Sequence, residues 1–285
     1  MARRKFRTKE AQQRERVRSL MRLTSLTLVT VVLLSGLLYV FHQPFMRIES
    51  VSIGDGQLSE ELVRASVESS LSGVAAWGLP RDSLLAPAVG RIERNLSEQF
   101  PRIEQVYVQR SSPKTLSVSY KERVTAALWC GDVIPPPTVL FATTTSQTYT
   151  GRCYLLDESG YIFSPAIDVS KTLVRYYGSL QYPEPVGQLL LDEDTFRAWQ
   201  ALVTELGKEP YRVQAIVVLD ERNAELYLLP NTRLIVDHTE SFSTLHTRLT
   251  ALLDSESLDS ARDIEYIDMR FGSKVYVKYQ EQGTE

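Results

Sequence analysis

The sequence is poor in the residues that carry most metal and nucleophile chemistry. It has three histidines and two cysteines among 285 residues. His42, His238 and His246 fit no H-E-x-x-H or other spaced metal-binding pattern, and no glycine-rich loop precedes a helical pattern as a phosphate-binding loop would. We therefore predict no metal, no cofactor, no catalytic residue and no small-molecule substrate, and we favour a binding or assembly role over an enzyme.

The main body of the chain also lacks the basic face that nucleic-acid binding requires. Residues 1–41 hold nine Lys or Arg and two Glu, a net charge of +7, and the whole chain has a net charge of −3, which leaves −10 for residues 42–285. Neutralising phosphates needs a clustered excess of Lys and Arg. The charge distribution therefore excludes nucleic acid as the partner of the main body.

One long uncharged segment is present near the N-terminus. Residues 23–41, LTSLTLVTVVLLSGLLYVF, are 19 residues without a charge, and a helix of that length spans about 28 Å, close to the roughly 30 Å hydrocarbon core of a bilayer. We predict a single transmembrane helix that acts as an uncleaved signal anchor. The alternatives are a buried core helix, which would show a polar face, and a cleaved signal peptide, although no small-x-small site follows the run.

The charge around this segment predicts its orientation. The basic excess precedes the apolar run, so the positive-inside rule places residues 1–22 in the cytoplasm and residues 42–285 on the extracytoplasmic side. The predicted membrane is the cell membrane, that is, the inner or plasma membrane. The composition of the chain, 43% hydrophobic and 24% charged, is that of an ordinary globular protein with one large domain or two smaller ones.

Past the span, the periodicities predict an α+β protein. The order strand, helix, helix, strand, strand follows first, with helical patterns over residues 59–71 and from about 82 to 100. A strand-rich remainder contains two further helical patterns, DEDTFRAWQALVTEL and ESFSTLHTRLTALLDS. The predicted divisions are a basic leader at 1–22, a transmembrane helix at 23–41, a β-α-α-β-β domain at 45–123, a β domain at 124–279 with an insertion at 131–152, and a disordered tail at 280–285.

Two local patterns leave alternatives open. Cys130 and Cys153 flank the insertion, and in the predicted extracytoplasmic location they can form a disulfide; the alternative is a pair of free thiols in neighbouring strands. The segment from Ser111 to Lys114 matches S-x-x-K, the serine-lysine pair of penicillin-binding enzymes. Because Pro113 stands between two strand patterns and that pair needs a helix N-terminus, we favour a hairpin loop.

Four segments in order behind the signal anchor resemble the FtsQ/DivIB family of bacterial cell-division proteins. They are FMRIESVSIGD, FPRIEQVYVQRSSPKTLSVSYKERVTAALW, YLLDESGYIF and YIDMRF. The family shows a strand after F-P-x-I, a proline-containing hairpin, E-R-x-P-x-A-x-W, L-V-D-x-x-G-x-x-F and V-D-L-R-Y in the same order. The chain departs from this pattern at Thr125, where the family often has proline, at Phe271, which replaces a common tyrosine, and in the length of its insertion.

The resemblance implies a POTRA domain after the span and a non-enzymatic scaffold of the divisome at the septum. Such a scaffold would recruit FtsB/FtsL-type partners by adding a strand to the last strands of the β domain. The resemblance, together with the neighbouring hairpin positions, predicts these partner-binding residues: Arg270, Phe271, Gly272, Val275, Tyr276, Val277 and Lys278. A membrane-anchored cell-wall enzyme, or a regulator of one, is the alternative function.

The last hairpin, IDMRFGSKVYVKY, has a stripe of apolar residues at odd positions. A two-residue turn of Gly272 and Ser273 would place the apolar residues of the two arms on opposite faces, whereas a three-residue loop places them on one face. We therefore predict a three-residue or bulged hairpin with odd-numbered residues towards the core and Arg270, Tyr276 and Lys278 outward. The predicted pairs are Phe271 with Val275, Met269 with Val277, Ile267 with Tyr279 and Asp268 with Lys278.

Overall fold

A computed structural model describes residues 9–75, 78, 80–83, 89–141, 152–167, 173–207, 212–253, 255 and 263–280. Parts of three predicted features therefore lie outside the described residues, namely positions 1–8 of the leader, positions 142–151 of the insertion and positions 281–285 of the tail. The chain divides into two compact units, Met1–Glu122 and Arg123–Glu285. Each unit has its own core and is described separately below.

Helix α1 (Lys9–Phe41) contains Val17–Leu37, a segment long and apolar enough to cross a membrane. Its 33 residues correspond to about 50 Å, which exceeds the roughly 30 Å of a hydrocarbon core. Leu28 and Leu33 are each 68% exposed, and none of the apolar segment is buried. This exposure contradicts the core-helix alternative, and the predicted membrane segment 23–41 lies within α1.

The first unit also contains a three-stranded sheet with two helices on one face. Its further elements are a 3-10 helix (Pro44–Met46), β1 (Ser50–Ile53), α2 (Glu60–Leu71), α3 (Val89–Gln99), β2 (Ile103–Ser112) and β3 (Thr115–Glu122). The strand order is β1-β3-β2, with β1 parallel and β2 antiparallel to β3. Fully buried Val67, Ile92 and Leu96 from the helices pack against Leu116 and Val118 of β3. The apolar spacing of both helices is thus satisfied by one sheet face.

Helix α3 begins later than predicted. The apolar pattern placed its start near Asp82, but the carbonyl of Asp82 accepts the N–H of Ile48 at 2.8 Å and Ser83 forms a bridge with Arg47. The main-chain groups of Asp82 and Ser83 are therefore engaged in extended pairing and do not form the first turn of a helix.

The second unit is built on a mixed sheet, which has nine strands within the described residues. Its strands are β4 (Ala127–Trp129), β5 (Tyr154–Leu156), β6 (Ile162–Pro165), β7 (Arg175–Tyr177), β8 (Val213–Val218), β9 (Asn223–Leu228), β10 (Thr232–Asp237), β11 (Ile264–Phe271) and β12 (Lys274–Tyr279). Its helices are α4 (Pro137–Leu140), α5 (Glu193–Leu206) and α6 (Phe242–Leu253). The strand order is β12-β11-β10-β9-β8-β7-β4-β5-β6. The predicted α+β class, with an apolar N-terminal helix and two longer helices among the later strands, is confirmed.

Helix α5 shows why the sequence places a helix on one face of this sheet. Asp192 is the N-cap, and its carboxylate accepts the N–H of Thr195 at 2.9 Å. Phe196, Trp199 and Leu202 are buried on one stripe and join the main core with residues of α6. The periodicity predicted both helices.

The described part of the insertion covers the opposite face of the sheet. Cys130 and Cys153 are buried and joined by a disulfide with sulphur atoms 2.06 Å apart. Leu140 of α4 is fully buried there, and the Arg175 guanidinium donates to its carbonyl at 3.0 Å. The Phe141 ring meets that of Tyr227 edge-on at 5.2 Å. The insertion therefore contributes to the core rather than only extending a turn.

Candidate partner-binding edge

The predicted hairpin forms one end of the nine-stranded sheet. Strand β11 pairs in parallel with β10 and antiparallel with β12. Strand β12 is outermost, and no described strand lies on its other side. Among the described strands, β12 is therefore an edge strand that is anchored to the core on one side.

The hairpin turn has two residues, so the predicted register is wrong. Gly272 and Ser273 form the turn, and Gly272 has a φ of +60°, which glycine adopts at little cost. The observed pairs are Phe271 with Lys274, Asp268 with Tyr276, Ile267 with Val277 and Tyr266 with Lys278. Asp268 therefore faces Tyr276 across the strands, not Lys278 as predicted.

A β-bulge resolves the conflict that the two-residue turn would otherwise create. The register shifts between Asp268 and Phe271, so two residues, Met269 and Arg270, stand opposite Val275 alone. The extra residue restores the phase of the two arms. Ile267, Met269, Val275 and Val277 consequently pack against one core. The predicted bulge and the shared apolar face are confirmed.

The bulge also reverses one predicted orientation. Phe271 was expected inward with the odd positions, but it lies beyond the bulge and is 56% exposed. Asp268 lies on the outer face as expected, opposite Tyr276, but Arg270 bonds to its carboxylate and it is only 7% exposed. Arg270, Tyr276 and Lys278 are exposed as predicted. Alternation therefore predicts the facing of the β12 side chains correctly and fails on β11 at Phe271, beyond the bulge.

Arg270 is held by a buried carboxylate. Its Nε donates to Oδ1 of Asp268 at 3.0 Å, its Nη2 donates to Oδ2 at 2.7 Å, and its Nη1 donates to Asn223 at 3.2 Å. Burial alone would raise the pKa of Asp268, but the hydrogen bonds from Arg270 outweigh it and lower that pKa. Replacing Arg270 would leave Asp268 as an unpaired buried charge, so the effect would combine lost contact with local destabilisation.

A pair of aromatic rings lies beside this guanidinium on the outside of the hairpin. The rings of Phe271 and Tyr276 are 5.3 Å apart and nearly perpendicular, at 86°. The guanidinium carbon of Arg270 lies 5.6 Å from the centre of the Phe271 ring. We call these three residues the aromatic patch. Exposed aromatic and arginine side chains are typical anchors of protein interfaces.

Charged and aromatic side chains continue the outer face across the neighbouring strands. Tyr266 of β11 pairs with Lys278 on one side and Arg233 on the other, and Arg233 lies 5.5 Å from its ring centre. Arg233 also donates to Glu225 of β9 at 3.3 Å. The sequence alone did not predict a role for Asn223, Glu225, Arg233 or Tyr266, and it placed Asp268 opposite Lys278. Alternation could have grouped them by face, but the parallel pairing of β10 with β11 across α6 leaves no local signal.

The main chain of β12 turns towards solvent at two positions in the middle of the strand. Gln280 donates its N–H to the carbonyl of Asp263 at 2.9 Å. Because alternate residues of an antiparallel strand direct N–H and C=O to opposite sides, Val275 and Val277 direct theirs away from β11. Such groups are a template for an added strand.

Comparison with known proteins identifies a family that matches the second unit. Residues 146–270 match the family described as "Cell division protein FtsQ/DivIB, C-terminal". The matched range ends at Arg270, and β12 begins four residues later at Lys274. No curated protein matches the chain.

Proposed function

Because this chain belongs to the FtsQ/DivIB family of cell division proteins, we propose that it is a non-enzymatic membrane scaffold of the divisome. Its partners are FtsB/FtsL-type proteins, which it recruits at the division septum. A strand of the partner adds to β12, and the β-α-α-β-β unit serves as a POTRA domain. The role in cell division follows from the family, and the partner and its mode of binding are the proposal.

The open edge of β12 carries this proposal. The main-chain groups of Val275 and Val277 face away from β11, and a strand placed about 4.8 Å away could pair with them. β-strand addition obtains affinity from such main-chain hydrogen bonds and specificity from side chains next to the edge. Because Val275 and Val277 pack their side chains inward against the core, the edge is held in the geometry that pairing requires.

The aromatic patch provides side chains that could select the partner. Phe271 and Tyr276 are 56% and 52% exposed, although a folded chain normally buries large aromatic rings. Both lie on the outer face beside the edge, where side chains of an added strand would point. The ion pair between Arg270 and Asp268 fixes the third member of the patch before binding, which lowers the entropy lost when the complex forms.

The N-terminal segment supports a membrane location for the scaffold. Helix α1 contains an exposed apolar segment, and the basic leader precedes it. On the positive-inside rule, the chain is a single-pass protein with its N-terminus in the cytoplasm and residues 42–285 outside. The membrane segment alone would not direct the chain to the septum, so its localisation there depends on its partners.

Complementation of depleted cells tests the proposal. Depletion should produce filaments or chains of cells in which FtsB/FtsL-type proteins leave the septum, and the parent chain should restore them. Phe271→Asp should fail to restore them, whereas the control Tyr182→Asp, at a tyrosine that is 60% exposed, should succeed. Peptidoglycan turnover by the purified chain, with the partners still at the septum, would favour the enzyme alternative and contradict the scaffold.

A further inference from the structure

The three-stranded sheet of the first unit has a second face that its helices do not cover. Alternation directs Val51, Leu116 and Val118 inward to the core, so their neighbours point outward. The outward residues, which we call the hydroxyl face, are Ser50, Ser52, Gln105, Tyr107, Gln109, Thr115, Ser117, Ser119 and Lys121. Among these described positions none is acidic and one is basic, although 24% of the chain is charged.

The hydroxyl face is electrically neutral and continuous. Its single cation, Lys121, forms an ion pair with Glu104 at 2.8 Å. Hydroxyl groups meet across the strands, since Ser50 and Thr115 are 2.8 Å apart and Ser112 donates to the Thr115 hydroxyl at 2.8 Å. In register, Ser117 stands between Ser52 and Gln109. The result is a surface of small hydroxyls and amides.

Tyr107 supplies the aromatic ring on this surface. It pairs across the strands with Ser119, is 49% exposed, and donates its hydroxyl to the side-chain oxygen of Gln105. Its cross-strand neighbour has a small side chain, which leaves the ring face uncrowded on that side. An exposed tyrosine offers a flat apolar face and a polar tip together.

Strand stability does not account for this composition. Strands favour β-branched and aromatic residues, and serine offers neither the stiffness nor the packing area that they provide. Solvated sheet faces also commonly carry charged pairs, which this one lacks apart from Lys121 and Glu104. Serine and glutamine instead provide both donors and acceptors without the cost of desolvating a charge.

We infer that the hydroxyl face binds an uncharged polysaccharide chain. A neutral sugar polymer matches the face in charge, its hydroxyls and amides pair with Ser and Gln side chains, and one sugar ring stacks on Tyr107. Acidic polymers and nucleic acids would require a cationic surface, and Lys121 is already paired. This activity is separate from partner recruitment, because every residue of the hydroxyl face belongs to the first unit.

Binding of a chitooligosaccharide by the full chain tests this inference. The chain is purified in a detergent without a sugar head group, so that the detergent cannot compete, and binding is followed by saturation-transfer NMR and titration. Tyr107→Ala should weaken binding by about tenfold, Tyr107→Phe should retain most of it, and Gln109→Ala should weaken it less. Binding should change little with salt, because no charge contributes.

Tyr182→Ala is the matched control, since Tyr182 is 60% exposed and lies in the second unit. Its binding should equal that of the parent, and circular dichroism should show all variants folded. The inference is overturned if the parent does not bind, or if Tyr107→Ala and Gln109→Ala both bind like the parent. An equal loss of sugar binding in Tyr182→Ala would mean adventitious stacking on any exposed tyrosine and would overturn the inference as well. Strong weakening of sugar binding by salt would also overturn it.

Discussion

The two edges of the nine-stranded sheet end in different ways. Strand β6 has four residues, ends at Pro165, and is covered by a neighbouring segment: Ile162 donates to Gln188 and accepts from Gly187, both at 2.9 Å. Strand β12 has six residues and no proline, and no described strand covers its outer side. One edge of the sheet is closed, whereas the other is open.

This difference supports a binding role for β12. Sheets blunt their edges with short strands, prolines and covering loops, because an open edge pairs with other chains. Strand β6 uses all three devices. Strand β12 has only Lys274 and Lys278 on its outer face as protection against nonspecific pairing. An edge left open beside exposed aromatic rings is therefore expected where a specific partner binds.

Removing the disulfide should have the largest effect on stability and none on the open edge. Replacing Cys130 and Cys153 together by alanine deletes a bridge with a sequence separation of 23 residues, which should lower the free energy of unfolding by about 3 kcal/mol. Five strands separate β4 from β12 in the sheet order, so partner affinity should stay at the parent value. Urea unfolding and a binding titration measure the two effects. Weakened binding in the folded variant would contradict the independence of the two ends.

Adjacent proline substitutions should separate pairing with the partner from pairing within the hairpin. Val277→Pro removes an N–H that faces away from β11, so partner affinity should fall by about 100-fold while most of the thermal stability remains. Tyr276→Pro removes an N–H directed at β11 and should unfold the hairpin. Equal losses of stability in both variants would show that β12 does not present Val277 as an open position.

Truncating one ring of the aromatic patch should have a smaller effect. Tyr276→Ala removes an exposed side chain that contacts Phe271, so partner affinity should fall by about tenfold with little change in unfolding temperature. Tyr182→Ala removes an equally exposed ring elsewhere and should leave affinity unchanged. Comparable affinity for both variants would remove the aromatic patch from the interface.

Acid should destabilise the open edge slightly through Asp268. Because the folded-state pKa of this carboxyl is lowered, its contribution is complete above the unfolded-state pKa of about 3.9 and is lost as pH falls through the folded value. The loss should be below about 1 kcal/mol, as for a partly exposed ion pair. Unfolding of the parent and of Asp268→Asn between neutral pH and about pH 3 measures it. The same acid sensitivity in Asp268→Asn would exclude this carboxyl as its source.

The helices and strands could be predicted from sequence because each depends on local periodicity. The stripe of Phe196, Trp199 and Leu202 is sufficient for α5, and alternation is sufficient for β12. The register of the last hairpin could not be predicted, because the turn and the bulge compensate for each other. A three-residue loop and a two-residue turn with a bulge both place Val275 and Val277 on the core face. They differ in where Phe271 points and in whether Asp268 pairs with Lys278 or with Tyr276.

Contacts between residues on neighbouring strands also could not be predicted from local sequence patterns. Asn223 reaches Arg270 over 47 positions of sequence, and Arg233 reaches Tyr266 through the parallel pairing of β10 with β11. Strands that pair in parallel are joined by a crossover connection, which here contains α6. The sequence of α6 indicates how that helix packs, but it does not indicate the register between β10 and β11.

Site-specific disulfide cross-linking tests the open edge most directly. The chain offers matched positions on the two edges, Lys274→Cys on β12 and Ser164→Cys on β6, and the native bridge between Cys130 and Cys153 is buried. Each variant is expressed with an FtsB-type partner that carries single cysteines along its predicted strand. We predict that Lys274→Cys cross-links at alternate partner positions and that Ser164→Cys does not. Cross-linking through Ser164→Cys with none through Lys274→Cys would contradict the account.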